Sequence, residues 1–213
     1  HQLKTPLAAL DMYMEILGEE PENAETVKDF SRKSMRSLER MEQLIQSLLK
    51  MARLDTGSIV FEKRQCFVAE IAAQAAGELS ERARQEGKKI VMEGGSEEII
   101  FCDEDWTREA LENLIKNALD HTEAGGTVRV AWSRSPVLFR LSVEDDGCGI
   151  APEDIHHIFK KFYRSQNSGD RQGAGLGLSL AKSIVEEQGG MLSVESSPGE
   201  GSVFRISFPE GLQ

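Results

Sequence analysis

The chain has 213 residues, of which 39% are hydrophobic and 29% charged, and a formal net charge of -11. That length suits one large or two small domains with a real core, and the composition argues against disorder. The acidity disfavours nucleic acid as a partner, since phosphates would repel it. No apolar run approaches the roughly 20 residues of a membrane span, and no signal peptide opens the chain. Cys66, Cys102 and Cys148 are scattered without metal-ligand spacing, which indicates a reducing compartment rather than a disulfide framework. The chain does not begin with Met, so a longer parent is expected, with any membrane anchor upstream.

Leu3, Leu7, Leu10, Met14 and Leu17 follow steps of four and three, the pattern of a coiled-coil seam. Gly18 and Pro21 end that helix. A second helix is expected from Glu25 to Leu54, with a seam of Phe30, Ser34, Leu38, Met41, Ile45, Leu48 and Ala52. Two such helices form a hairpin that buries little alone, so a homodimeric four-helix bundle is expected. His1 lies about 200° around the helix from Leu3 and faces solvent. Thr5 is one turn further on the same face.

Asp55 to Ser58 read as a linker, which divides the chain into residues 1–56 and 57–213. Beyond it, short strands are expected at Ile59–Phe61, Lys89–Glu93, Ile99–Cys102, Thr127–Ser133, Leu138–Glu144, Met191–Ser196 and Val203–Phe208. Helices are expected at Ala69–Gln85, Glu104–His121 and Leu176–Gln188. The fold class is α+β: a helical hairpin, then an α/β sandwich with a mixed sheet and helices on one face. No G-x-x-x-x-G-K-[ST] is present, so this is not a P-loop protein.

Four clusters in the second segment suggest chemistry. Asn113 and Asn117 share one helix face although Asn is a mediocre helix former; an amide oxygen is a hard, neutral ligand for Mg²⁺ beside phosphates. Asp145-Asp146-Gly147-Cys148-Gly149-Ile150 follows a strand, with glycines that permit close backbone approach and a carboxylate for an adenine amino group. Phe159-Lys-Lys-Phe162-Tyr163-Arg164 offers an arginine fork for phosphate. Gly173-Ala-Gly175-Leu176-Gly177-Leu178 opens a helix whose N–H groups suit phosphate, preceded by a polar stretch, Ser165 to Gln172, that could close as a lid. Each cluster alone has a plain structural reading as surface amides, a turn or core packing.

In this order the clusters resemble the N, G1, F and G2 boxes of two-component sensor histidine kinases. His1-Gln-Leu-Lys-Thr-Pro6-Leu is similar to the family's H box, and Leu48 to Asp55 is similar to the end of its second helix. The resemblance implies an ATP-binding domain of the Bergerat type shared with gyrase and Hsp90. It implies Asn117 as Mg²⁺ ligand, with Asn113 at the phosphate end. Asp146 would bind the adenine amino group with Ser202 as its hydroxyl partner, Ile150 and Leu178 would wall the base, and Arg164 would reach the γ-phosphate. Gly147, Gly149, Phe162, Gly173, Gly175, Leu176 and Gly177 would complete the ATP site. His1 would take the phosphoryl group and pass it to a response regulator aspartate, and Thr5 would serve a phosphatase activity. The resemblance also implies the cytoplasmic portion of a membrane-anchored bacterial protein, with membrane contact only through segments absent from this chain.

Departures from the family pattern are visible. Gln2 follows the histidine where an acid is usual, Asp120 occupies a position that is often a phosphate-facing Lys, and His121 suggests packing or a nucleotide-edge role. His156 and His157 read as surface. A gyrase-type ATPase is disfavoured, since Asn113 stands where such enzymes place a water-activating Glu and Glu112 is rotated about 100° away. A nucleotide-dependent phosphatase or binding module remains the other reading, kept open by Gln2 and Asp120.

Pro6 lacks an N–H, so the helix is expected to bend near His1. Gln2 can accept the imidazole N–H but cannot take its proton. General-base help is typically worth about 10²–10⁴ in rate, and an imidazole with a pKa near 6.5 is already largely neutral at pH 7, so the loss falls at the low end. Gln2→Glu is expected to speed phosphorylation of His1 by ATP, read as a single-turnover rate at saturating ATP in a chain extended upstream of His1. An equal or slower rate would show that proton removal is not limiting.

Overall fold

The computed structural model describes residues 3–165 and 175–210. It divides into two compact units, residues 1–52 and 53–213.

The first unit is a hairpin of α1 (Lys4–Glu19) and the greater part of α2 (Ala24–Asp55). Its turn is closed by side chains: the Glu20 carboxylate accepts from Asn23 Nδ2 at 3.1 Å and from Thr26 Oγ1 at 3.0 Å, and Asn23 Oδ1 accepts the Thr26 amide at 3.2 Å. The two helices meet where Tyr13 and Phe30 stack with ring centroids 5.6 Å apart and Ser37 Oγ donates to the Pro6 carbonyl at 2.9 Å. The packed face therefore runs through Pro6, Tyr13 and Ile16, not through the full seam read from the sequence. Leu3, Leu7 and Met14 stay exposed, as do Leu38, Ile45 and Ala52 on α2. A hairpin covers one side of each helix, and the steps of four and three spread apolar residues over a wider arc than one neighbour can cover. Pro6 lies in the first turn of α1, where a missing N–H costs nothing; the bend expected at His1 falls outside the described residues.

The second unit holds a five-stranded sheet in the order β2-β4-β5-β7-β6, comprising β2 (Lys89–Glu93), β4 (Thr127–Arg134), β5 (Leu138–Asp145), β7 (Gly201–Pro209) and β6 (Met191–Ser197). Only β2 and β4 run parallel; the other pairs are antiparallel. A separate antiparallel pair joins β1 (Arg64–Phe67) and β3 (Ile99–Cys102). The expected strand at Ile59–Phe61 is absent. That stretch is a strap, held where Phe61 packs edge-on against Trp106 at 5.9 Å and the Glu62 amide donates to Asp103 Oδ2 at 2.8 Å, and the strand forms later, at Arg64.

Strand alternation decides the core. Val128, Val130 and Trp132 on β4, Phe139, Leu141 and Val143 on β5, and Phe204, Ile206 and Phe208 on β7 are buried, while Arg129, Arg140, Glu144 and Arg205 occupy the opposite face. The apolar faces of α3 (Val68–Gln85), α4 (Glu104–His121) and α6 (Gly177–Glu187) cover that side through residues such as Ile71, Leu111, Leu114, Ile115, Leu180 and Ile184. A single turn, α5 (Pro152–Ile155), begins at Pro152, whose fixed φ suits a helix start. No described helix is long and apolar enough to cross a membrane.

Two devices hold α4. At its N-terminus the buried Asp103 accepts the Trp106 amide at 3.2 Å, while its own amide donates to Gln188 Oε1 at 2.7 Å and Gln188 Nε2 donates to Thr107 Oγ1 at 3.2 Å. At its C-terminus the nearly buried Lys88 ammonium donates to the Leu119 carbonyl at 2.7 Å and to Glu86. Asp103→Ala removes a helix cap and strips the Glu62 amide of its partner. A loss of about 2 kcal/mol is expected, measured by urea unfolding of the second unit's signal; a change under about 0.5 kcal/mol, the range of ordinary surface changes, would show that solvent replaces the cap.

Candidate nucleotide-binding site

The site forms where β5 runs out beyond its helix-covered face. Phe139, Leu141, Val143 and Asp145 alternate inward, so the strand ends by burying a carboxylate in line with its apolar side chains. Asp145 is 7% exposed; its Oδ1 accepts the Gly147 amide at 3.0 Å and its Oδ2 has no hydrogen-bond partner among the described residues. Burial pushes its pKa up to about 6, against the Gly147 and Ser202 amides, which lower it, while the neighbouring Asp146 charge raises it further.

Asp146, named from the sequence as the adenine ligand, points elsewhere. It is one residue on, so alternation turns it out to solvent, where both its oxygens accept the Thr127 amide, at 3.1 and 2.9 Å. The buried carboxylate at this turn is therefore that of Asp145, not that of Asp146. Inward period two from Phe139 reaches Asp145 and skips Asp146 because β5 runs one residue beyond the Glu144 end expected from the sequence.

Asp145 pairs in register with Ser202 on β7, and Ser202 with Ser196 on β6. The two serine hydroxyls lie 3.0 Å apart, and Ser196 Oγ also accepts the Ile150 amide at 2.8 Å. Ser202 thus lies beside the buried carboxylate, and Ser196 is a further member that sequence reasoning missed, since only strand pairing brings it there.

The turn after Asp145 is pressed against its neighbours. A Cβ on Gly147 would meet the His121 carbonyl oxygen at 2.3 Å, and one on Gly149, where φ is +68°, would meet the Ser197 carbonyl oxygen at 1.9 Å. Ile150, half-buried, follows. Across the cleft, α4 presents Asn113, Asn117 and His121, all half-buried. Asn113 Nδ2 donates to the Glu109 carbonyl at 2.8 Å, and a Cβ on Gly177 would lie 2.9 Å from Asn113 Oδ1, which leaves the start of α6 in contact with the asparagine. Leu176 is buried and Leu178 half-buried there.

Asp120 does not stand as an isolated anion at this end of α4. Arg82 on α3 binds it at 2.5 Å and Glu86 at 2.7 Å, so its charge is neutralised locally. Phe162 is exposed with φ +64°, and its amide donates to the Gly175 carbonyl at 2.8 Å, which joins the two ends of the segment between them. Arg164 is exposed. His157 is half-buried rather than a surface residue, with its ring 5.5 Å from that of Tyr163. Thr5 is exposed on α1, in the other unit. His1, Gln2 and Gly173 lie outside the described residues.

A buried carboxylate, a turn pressed close through Gly147 and Gly149, and a helix carrying two asparagine amides are the features of this site. Residues 102–212 match the family described as histidine kinase-, DNA gyrase B- and HSP90-like ATPase, and residues 1–57 match the His Kinase A (phospho-acceptor) domain. The sensor histidine kinase RppB of Synechocystis is 32% identical over 213 residues, covering 98% of this chain and 47% of that protein. The structure of full-length ShkA in complex with AMPPNP is similar at 27% identity and a TM-score of 0.76, covering 98% of this chain and 45% of that one. The fold is also that of histidine kinase ThkA in its complex with response regulator protein TrrA, with a TM-score of 0.81 at 21% identity, covering 99% of this chain and 59% of that one. The chain belongs to the two-component sensor histidine kinase family. It spans about half the length of the curated relatives it matches.

The Asp145 pKa is raised, so the folded chain binds a proton more tightly than the unfolded one. The stability associated with that proton is present below about pH 4 and lost as pH rises through about 6. A shift from 3.8 to about 6 corresponds to ~3 kcal/mol. Asp145→Asn keeps an acceptor for Gly147 without the buried charge. It is therefore expected to stabilise the ligand-free chain above pH 6, with the gain fading towards pH 4, and to weaken nucleotide binding; Asp146→Asn should do neither. Thermal unfolding from pH 4 to 8 and ADP titration read the two effects, and nucleotide loss in Asp146→Asn with none in Asp145→Asn would return the role to Asp146.

Proposed function

We propose that this chain is the catalytic and phosphoacceptor part of a sensor histidine kinase that moves the γ-phosphoryl group of ATP to His1 and then to an aspartate of a response regulator. The observation that carries the ATP half is Asp145 Oδ2, a buried acceptor without a hydrogen-bond partner among the described residues. An exocyclic amino group would satisfy it, and the turn through Gly147 and Gly149 lets a flat base approach the backbone. Ser202 and Ser196 line the same row and suit a bridging water. Ile150 and Leu178 supply apolar walls.

The donor set also suits Mg²⁺. The described residues hold no group of three His, Cys, Asp or Glu side chains for a metal. Mg²⁺ commonly needs only one or two protein ligands beside substrate phosphates, and the Asn117 amide is the proposed one. Asn113 stays at the phosphate end, where an amide cannot act as the base of a hydrolase. Arg164 and the amides opening α6 would neutralise phosphate charge, since phosphoryl transfer depends mostly on positioning and electrostatics. Bound Mg²⁺ would share that neutralisation. His1 would attack as neutral imidazole, with Gln2 orienting its ring N–H.

The exposed stripe of Leu7, Met14, Leu38 and Ile45 supports a homodimer, because a second hairpin would bury it as a four-helix bundle. The complex of ThkA with a response regulator supports the receiver-domain partner. Thr5, on the solvent side of α1, is proposed to orient water in a phosphatase step. The boundary is placed at residues 56 and 57, and the parent is proposed to be membrane-anchored with this part in the cytoplasm.

Incubation with γ-labelled ATP tests the reading. Label is expected on the wild-type protein, acid-labile and base-stable, and absent in His1→Ala, which should still bind nucleotide. Thr5→Ala should keep the label and slow release of phosphate from the phosphorylated receiver. Label persisting on Ser, Thr or Asp in His1→Ala would overturn the acceptor, and free phosphate without labelled protein would support a hydrolase instead.

A further inference from the structure

Three side chains stand in one row across three strands. Asp145 on β5 pairs in register with Ser202 on β7, and Ser202 with Ser196 on β6. Residues directly opposite each other share a face of the sheet, with Cβ atoms about 4.5–5.5 Å apart. Ser202 is close enough for its amide to steady the Asp145 charge. Asp145 Oδ2 nevertheless has no hydrogen-bond partner among the described residues, although a hydroxyl stands opposite it.

The supply of protons along the row accounts for this. Ser196 Oγ lies 2.7 Å from the Gly201 carbonyl oxygen, 2.8 Å from the Ile150 amide nitrogen and 3.0 Å from Ser202 Oγ. A carbonyl can only accept, and a hydroxyl carries one proton. Two oxygens at 2.7 Å with no proton between them would repel, so the Ser196 proton goes to Gly201. The Ser196 lone pairs then take the Ile150 amide and the Ser202 hydroxyl. The single Ser202 proton therefore points to β6. Since β7 lies between β5 and β6, that direction is away from Asp145. What remains on the Ser202 oxygen is lone pairs, which a carboxylate cannot use.

We propose that Ser196 is a positioning residue of the base-binding site: by holding the Ser202 proton it keeps Asp145 Oδ2 open to the amino group of the nucleotide base. The ligand rests on the function proposed above; the direction of the hydroxyl row does not. Ser196 acts through Ser202. A buried acceptor left unpaired is destabilising, and a ligand donor relieves that on binding. If Ser202 supplied the donor, the relief would already be present in the free chain, and the ligand would gain less. The same Ser196 oxygen ties down the Ile150 amide, so one group fixes both the open acceptor and an apolar wall.

Ser196→Ala frees the Ser202 proton to turn towards β5 and donate to Asp145. ADP titration of the whole chain is expected to show about tenfold weaker binding, the scale of one hydrogen bond to a charged group. Ser196→Thr keeps the hydroxyl on a strand that suits a β-branched residue and should restore most of that affinity. In a Ser202→Ala background no hydroxyl proton is left to turn, so adding Ser196→Ala should weaken binding no further. Mere support of the Ile150 turn would give the same loss in both backgrounds. That result overturns the proposal, as does unchanged affinity in Ser196→Ala. Carboxyl-carbon NMR of the ligand-free chain follows the Asp145 titration, whose midpoint burial holds up at about 6. A donated hydroxyl favours the charged form, so Ser196→Ala should lower the midpoint only while Ser202 is present. Asp146, whose charge raises the same midpoint, is common to every variant. A midpoint that does not move in Ser196→Ala overturns the proton assignment. A lowered midpoint in a chain whose wild type binds no ADP overturns the nucleotide reading and with it the role of Ser196 towards a base, while the direction of the hydroxyl row stands.

Discussion

A carboxylate buried at the end of an apolar strand face is the constraint from which the rest of the cleft follows. Asp145 lies in line with Phe139, Leu141 and Val143, and burial holds its pKa up to about 6. A folded chain tolerates such a group only if something else compensates. The amide of Gly147 donates to one oxygen and the Ser202 amide also favours the charge, while Oδ2 has no hydrogen-bond partner among the described residues. The glycines beyond it let the turn pass so close to the His121 and Ser197 carbonyls that a side chain would not fit.

Helix α4 is the second element on which the site depends. It carries Asn113, Asn117 and His121 on one side and the core residues Leu111, Leu114, Ile115 and Leu119 on the other. It is fastened at both ends, by Asp103 with Gln188 at the start and by Lys88 at the finish. Asp120 belongs to this fastening. Its pairing with Arg82 joins α3 to the last turn of α4 and keeps an uncompensated anion away from a place where phosphate is proposed to lie.

The hairpin follows a different logic. Within one chain its helices use a single face, and the rest of the apolar arc remains uncovered. That surplus is what a partner of identical shape would remove from water. The helices of the second unit show the reverse: their apolar residues are consumed by the sheet beneath them and little is left over.

Local pattern in the sequence was enough to determine much of this protein. The run from Glu104 to His121 reads as a helix because its apolar residues recur at helical spacing behind Asp103, and β2 and β3 read as strands from short apolar runs between turn residues. The order of the asparagine, aspartate-glycine and glycine-rich clusters was enough for the family. Tertiary structure alone decided the remainder. Which of two adjacent aspartates faces the cleft depends on strand phase, legible only once β5 is extended through Asp145. Ser196 joins the site through pairing across β7, a contact between distant positions that leaves no mark on local sequence. Asp120 looked like a missing cation until α3 delivered Arg82, 38 residues away, and Ile59–Phe61 looked like a strand until Trp106 took the Phe61 ring and Asp103 the amide of Glu62 just beyond it. Periodicity records what each element wants to bury, whereas the partner that buries it, or neutralises it, is set by how elements far apart in the chain come to lie together.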